Sequence, residues 1–208
     1  MARYTEANCR LCRRAGEKLF LKGNKCSSAK CTIAKRATPP GQHGSNRVKL
    51  SNYGVQLREK QKVKWMYGVL EQQFRTYFKH AAKIKGVTGK VLLQLLERRL
   101  DNVVFRLGLA TSRAQARQIV RHNSIWVNGT RVNIPSFLVA KDDVITVKSK
   151  EGAVKKIKEN IELSKERSVP AWLSFDQANL TGKILRFPEK EDIPANIQEQ
   201  MIVELYSK

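Results

Sequence analysis

The spacing of apolar positions changes several times along the chain, and each change marks an element. Leu70, Phe74, Tyr77, Phe78 and Ala81 recur at helical intervals and predict a helix closed by Gly86. Val91, Leu92, Leu95 and Leu96 predict another over Lys90 to Leu100. Upstream, Leu50, Tyr53 and Leu57 form one side of a helix from Leu50 to Tyr67, with Arg58, Glu59, Lys60, Lys62 and Lys64 crowding it with charge before Gly68 stops it. These stripes read as core, so the three helices form a small bundle with Lys79, Lys83, Lys85, Arg98 and Arg99 left outside.

From Arg99 to Lys148 the text holds two short helical patterns and then a hairpin. The second helix starts at Ser112, whose hydroxyl suits the first turn, and Gln115 completes a capping-box pattern. Ala116, Ile119 and Val120 share a packing face, while Arg113, Arg117 and Arg121 recur every four residues on another. Like charges so spaced repel, and a nearby anion would relieve them; an ordinary solvated face is the alternative. After His122 the period becomes two: Ile125, Trp126 and Val127, then Asn128-Gly129, then Arg131 and Val132. Asn-Gly tolerates the positive φ that both central residues of a type I′ hairpin turn require. Phe137 to Ala140 and Val144 to Val147, around a Lys141-Asp142-Asp143 turn, predict two more strands.

In the last third, Val154, Ile157 and Ile161 predict a short helix, and Pro170 to Phe175 and Lys183 to Phe187 two strands. Pro188 to Pro194 reads as an acidic linker, and Ile197, Met201, Ile202 and Leu205 as the stripe of a final helix.

Composition narrows the class. With 208 residues, 41% of them hydrophobic, the chain can build one large or two modest cores and is no disordered basic tail. No apolar run approaches the roughly 18 residues of a membrane span, and MARYTEANCR lacks an apolar signal core, so a cytoplasmic protein without membrane contact is expected. The formal charge of +22 changes the picture more, since self-repulsion on that scale calls for a polyanion. It is unevenly spread: 12 basic against 2 acidic residues in 1–50, 22 against 7 in 51–158, and 6 against 9 in 159–208. Positive charge distributed over folded segments suits nucleic acid better than a single polybasic membrane anchor does.

All four cysteines lie in the first 47 residues. Cys9-x-x-Cys12 has metal-knuckle spacing, and Cys26 and Cys31 make a looser second pair. Two disulfides or four inert thiols are the alternatives; a cytosolic chain disfavours the first, and lysine-rich surroundings the second. One zinc held by four sulfurs would leave no position for an activated water, so it would be structural. In a segment with few apolar residues it would replace a core, contributing on the order of 10–16 kcal/mol in finger peptides. Arg3, Arg10, Arg13, Arg14 and Lys22 accompany the ligands as candidate phosphate contacts. Thr38-Pro39-Pro40-Gly41-Gln42-His43-Gly44 is a breaker cluster, either a linker or a loop lying against a nucleic-acid backbone. His43 could replace a sulfur at the metal, but the four-cysteine set is already complete.

Together the stretches ARYTEANCRLCRRAGEKLFLKG, PPGQHG, LREKQKVKWMYG, GVTGKVLLQLLERRLDNVVFRLGLATSRAQARQIVRHNSIWVNG and PAWLSFD resemble the bacterial small-subunit ribosomal protein S-four family along its full length. That family lends its name to a helix-helix-hairpin RNA-binding domain, also appended to pseudouridine synthases and a tyrosyl-tRNA synthetase. The resemblance implies an α+β chain in three parts. These are a zinc-stapled basic arm (1–47), a helical domain (48–98) completed by a C-terminal helix (188–208), and an inserted RNA-binding module with a small antiparallel sheet (99–187). It implies a primary rRNA-binding protein on the five-way junction of the 5′ domain that nucleates assembly and influences decoding accuracy. Implied neighbours are small-subunit proteins three and five, near the path by which mRNA enters. Some members of the family repress their own operon or act in antitermination, and many have lost the arm's cysteines.

Binding should rest on phosphate contacts and junction shape. The candidate contacts are Arg3, Arg10, Arg13, Arg14, Lys22, Pro40, Gly41, Gln42 and His43 in the arm, and Arg58 and Lys62 in the helical part. In the module they are Arg106, Ser112, Arg113, Gln115, Arg117, Arg121, His122, Asn128 and Arg131. An enzyme guided by the module would need a catalytic centre; three scattered histidines and no spare metal position supply none, and no small-molecule substrate is expected. A zinc-finger RNA-binding regulator, acting as translational repressor or antitermination factor, shares the charge and the cysteines and differs in predicting a free pool bound to mRNA or polymerase.

Overall fold

A computed structural model describes residues 3–46, 49–164, 167–194 and 196–207. In chain order the helices are α1 (Asn8–Ala15), α2 (Asn24–Ser27), α3 (Thr32–Lys35), α4 (Asn52–Met66), α5 (Glu71–Lys83), α6 (Thr88–Glu97), α7 (Leu100–Arg106), α8 (Arg113–Arg121), α9 (Glu151–Leu163) and α10 (Glu199–Tyr206). The strands are β1 (Ile125–Val127), β2 (Thr130–Arg131), β3 (Val144–Val147), β4 (Leu173–Asp176) and β5 (Thr181–Ile184). They divide into two compact units, residues 1–92 with 196–208, and residues 93–195. The arm therefore clusters with the helices; its expected boundary at 47/48 lies outside the described residues.

In the first unit Ser51 caps α4, its Oγ accepting from the Gly54 N–H at 3.2 Å. Val63, Met66 and the stem of Lys60 form the buried side of α4. Tyr53, expected in the stripe, is 55% exposed because it sits in the first turn, before the helix reaches its packing partners. α10 lies along α4, with Gln56 Nε2 donating to Glu204 Oε2 at 2.9 Å. Tyr206 stacks on Phe78, ring centroids 4.4 Å apart, and its hydroxyl donates to Glu71 Oε1 at 3.1 Å. Lys60 and Lys64 also donate to Glu71. Burial pushes the Glu71 carboxyl up, but the two lysine hydrogen bonds and charges outweigh it and hold it below the usual carboxylate range. α1 packs on α3 and α4. Lys62 joins arm to bundle, 2.8 Å from Glu59 Oε2 and 3.3 Å from Glu17 Oε1, the latter an ion pair without hydrogen-bond alignment.

The second unit is built on a five-stranded antiparallel sheet of order β2-β1-β3-β5-β4. α7 and its C-cap Leu107, with α8 and α9, supply Val103, Val104, Leu107, Ala116, Val120, Ile157 and Ile161 to a core shared with Ile125, Ile145, Trp172 and Ile184. Each buried aliphatic side chain contributes about 1.5–3 kcal/mol. At mid-β5, a Cβ on Gly182 would lie 2.6 Å from Leu107 Cδ1, so the missing side chain is what lets the end of α7 meet the sheet.

Four sequence expectations change in the second unit and at its border. The helix predicted over 90–100 breaks after Glu97, and the strand predicted over Phe137 to Ala140 is absent among the described residues, save one bridge between Leu138 and Arg99. The causes are linked. The carbonyls of Phe137 and Pro135 accept from the Leu100 and Asp101 N–H groups at 2.8 and 3.1 Å, and Val139 N–H donates to Arg98 O at 3.0 Å. That segment's hydrogen bonds thus go to a helix start instead of a strand. Arg99, expected outside the bundle, is fully buried and bonds Asp101 from Nε at 3.0 Å and Nη2 at 2.7 Å. β5 also stops before Leu185 and Phe187, which are exposed.

Candidate nucleic-acid interface

The start of α8 keeps one half of its capping box. Ser112 Oγ accepts from the Gln115 N–H at 3.3 Å. The return half moves one residue upstream: Gln115 Oε1 accepts from the N–H and hydroxyl of Thr111, both at 2.8 Å, while its Nε2 donates to Asn160 Oδ1 at 3.1 Å. Ser112 and Gln115 are therefore engaged inside the fold and not offered outward.

Nor do the α8 arginines make one outward row. Arg121 is exposed, Arg113 is half-buried, and Arg117 is buried with Nη1 3.3 Å from Asp101 Oδ2. At 3.6 residues per turn a four-residue repeat drifts by about 40° per step, so Arg113, Arg117 and Arg121 point roughly 20°, 60° and 100° from core-facing Val120 and only the last clears the packed side. A carboxylate already bonded to Arg99 receives Arg117.

Arg106 and Arg113 are fixed by residues that the sequence reading missed. Fully buried Glu97 accepts from Arg106 Nε at 3.0 Å and Nη2 at 2.6 Å, and from Asn102 Nδ2 at 2.7 Å. Asn102 Oδ1 in turn accepts from Arg113 Nε at 2.8 Å. This chain of bonds satisfies a buried carboxylate and sets the planes of two guanidiniums. Its signal in the sequence was the polar pair Asp101-Asn102 inside the apolar run from Leu100 to Leu109. Arg167, also missed, lies between patterned segments and stacks its guanidinium 4.4 Å from the Phe105 ring centre, with Arg113 at 4.5 Å.

The hairpin turn has the predicted type, with φ of 49° at Asn128 and 78° at Gly129. Exposed Asn128 pins the turn to the start of β3: Nδ2 donates to Asp143 Oδ1 at 2.8 Å and Oδ1 accepts from Val144 N–H at 2.9 Å. Arg131 and His122 are exposed. Arg131 pairs across the ladder with Trp126, over whose ring Lys148 Nζ sits at 4.9 Å.

In the arm Cys12, Cys26 and Cys31 are buried and Cys9 is half-buried. Burial raises the Cys12 thiol above its ordinary value; the Leu19 backbone hydrogen bond opposes this, and Cys26, Cys9 and Cys31 lie close enough to raise it further. The Lys22 N–H points at Cys26 Sγ, 3.3 Å away. Buried thiols with backbone N–H donors suit a soft divalent ion, although among the described residues no three metal-type side chains close to coordination geometry.

Half-buried Arg13 and exposed Arg14, on the same helix, both bond the following loop. Arg13 donates to Thr38 O at 2.8 Å and Pro39 O at 3.2 Å, and Arg14 to Pro40 O at 3.3 Å. They hold a tight loop in which Gly44 N–H donates to Gly41 O at 3.2 Å and a Cβ on Gly44 would collide with the Pro39 carbonyl. The loop leaves Pro40 half-buried and Gly41, Gln42 and His43 exposed, as are Arg3, Arg10, Lys22 and Arg58. Lys62 is committed to Glu59, Glu17 and the Asn196 carbonyl.

Of the expected cationic contacts, Arg3, Arg10, Arg14, Lys22, Arg58, Arg121 and Arg131 are exposed, while Arg117 is buried as an internal support. Comparison with known proteins matches two consecutive family models. Residues 3–97 fit the description "Ribosomal protein S4/S9 N-terminal domain", and residues 98–145 the "S4 domain". Small ribosomal subunit protein uS4A of Symbiobacterium thermophilum is 59% identical over 208 residues, covering 100% of both chains. Small ribosomal subunit proteins uS4 of Acetivibrio thermocellus and Dictyoglomus turgidum are each 58% identical with the same coverage. Two family domains in order and more than half of all positions shared end to end mean that the chain belongs to the ribosomal protein S4 (uS4) family.

Proposed function

We propose that the chain is a structural component of the small ribosomal subunit that binds its rRNA and has no enzymatic role. The whole-length likeness to small-subunit proteins carries this reading, and the fixed arginines of the S4-type module supply its chemistry. Binding is dominated by phosphate contacts, with the shape of a folded helical junction selecting the site. The finer reading is a seat on the five-way junction of the 5′ domain, early enough to nucleate assembly. Small-subunit proteins three and five lie beside it near the incoming mRNA, and contacts with them influence decoding accuracy.

Cys9, Cys12, Cys26 and Cys31 would hold one zinc ion, which would supply a structural crosslink to an arm with little core of its own. Native mass measurement of reduced protein should find one zinc per chain; none would remove the metal without touching the RNA reading. For the main reading, the expected result is co-sedimentation with small subunits and protection of a 5′-domain junction in chemical footprinting. Both should weaken in the Arg113→Ala/Arg121→Ala double variant. A protein found chiefly in a free pool on mRNA or polymerase would instead be a regulator, and the proposal would fall.

A further inference from the structure

The strongest unassigned feature is a set of three guanidiniums from three parts of the second unit, converging at the end of α7. Arg113 and Arg167 both stack on Phe105, and Arg106 is close enough to act electrostatically on Arg167. Arg106 and Arg113 are held through Glu97 and Asn102. Arg167 is anchored by Nη2, which donates to Ser164 Oγ at 2.9 Å, Ala110 O at 3.3 Å and Thr111 O at 3.4 Å. Among the described residues all three bonds leave from Nη2, so the opposite edge of the fork keeps its donors pointing along the plane that stacking fixes. Glu97 pairs with Arg106. Burial and Arg106 both disfavour the charged form of Arg167, so the cluster carries repulsion that a bound anion would offset.

We propose that Arg106, Arg113 and Arg167, arrayed around Phe105, clamp one backbone phosphodiester of the RNA, with Arg167 as a direct contact. The proposal rests on the rRNA-binding reading and deepens it. Stacking occupies guanidinium faces while in-plane donors meet oxygens, which fits a tetrahedral phosphate better than a stacked base. A carboxylate of a neighbouring protein is the competing ligand.

The test uses the full chain and small-subunit rRNA, with affinity measured across a salt series. Arg167→Ala should bind about 10-fold more weakly near physiological salt, with a log–log salt slope smaller by about 0.7–0.9, the signature of one lost phosphate contact. Arg167→Lys should keep the slope and lose part of the affinity, because it retains charge without the fork or the stack. Lys155→Ala, removing an exposed α9 charge, should change affinity less than about 2-fold. A folded Arg167→Ala that matches wild type or Lys155→Ala overturns the clamp, as does one that loses only a protein neighbour. If Arg167→Ala fails to fold, Arg167→Lys at full wild-type affinity overturns it. Wild type that does not bind this rRNA at all defeats the broader reading as well, so the two failures are distinguishable.

Discussion

Replacing Asp101 by Asn changes one atom and isolates what holds α7 in place. Asp101 is 3% exposed and accepts from Arg99 Nε at 3.0 Å, Arg99 Nη2 at 2.7 Å and Arg117 Nη1 at 3.3 Å. Asparagine keeps one acceptor, turns its NH2 toward a donor, and leaves two buried guanidiniums without their shared negative charge. Truncating one side of a buried ion pair costs about 3–5 kcal/mol, a large part of the 5–15 kcal/mol that stabilises a typical domain. The two-unit chain calls for a local measurement, so the assay is native-state amide exchange of α7 and α8. Protection of the Val103 and Leu107 amides should fall by at least about 100-fold, since each 1.4 kcal/mol is a factor of 10. Adding Arg117→Met should restore part of it by removing one stranded cation. Exchange within about 5-fold of wild type would refute the idea that Asp101 neutralises these arginines.

Gly182→Ala should destabilise the second unit by about 1–3 kcal/mol in denaturant unfolding, because the new methyl meets Leu107 at 2.6 Å; an unchanged midpoint would show that Leu107 yields freely. For Glu71 the sign follows from a folded value below the unfolded one. Its contribution is present above about pH 4.5 and is lost as pH falls through the folded value, so Glu71→Gln should flatten the acid limb of first-unit stability. An acid limb identical to wild type would contradict the assignment. Arg13→Ala removes two bonds to the Thr38 and Pro39 carbonyls and should speed exchange of the Gly44 and Asn46 amides by about 10-fold; unaltered exchange would mean that the loop holds itself.

Periodicity made the α5 and α9 helices, the Asn128-Gly129 turn and strand β3 legible, because each depends on neighbours within a few residues. Long-range hydrogen bonding was not legible. Nothing local indicates that Phe137 gives its carbonyl to Leu100, so an apolar run read as a strand and a break read as continuous helix. The same holds for the site: arginine at four-residue spacing reports charge, but only tertiary packing decides that Arg117 faces Asp101 while Arg121 faces solvent. Nor does residue type reveal that Ser112, Gln115, Asn128 and Lys62 also bond within the fold, to the Gln115 N–H, to Thr111 and Asn160, to Asp143, and to Glu59.

The pairing of α10 with α4 also sets an order of events during synthesis. Gln56 precedes its partner Glu204 by 148 residues, and Glu71 precedes Tyr206 by 135. At roughly 5–20 residues per second, α4 and α5 wait on the order of 10 s for the helix that covers them. The second unit is one continuous stretch and can close its sheet as soon as β5 has been made. The first unit, begun earlier, is the last to be completed, and Phe74 and Phe78 must do without the covering ring of Tyr206 in the interval.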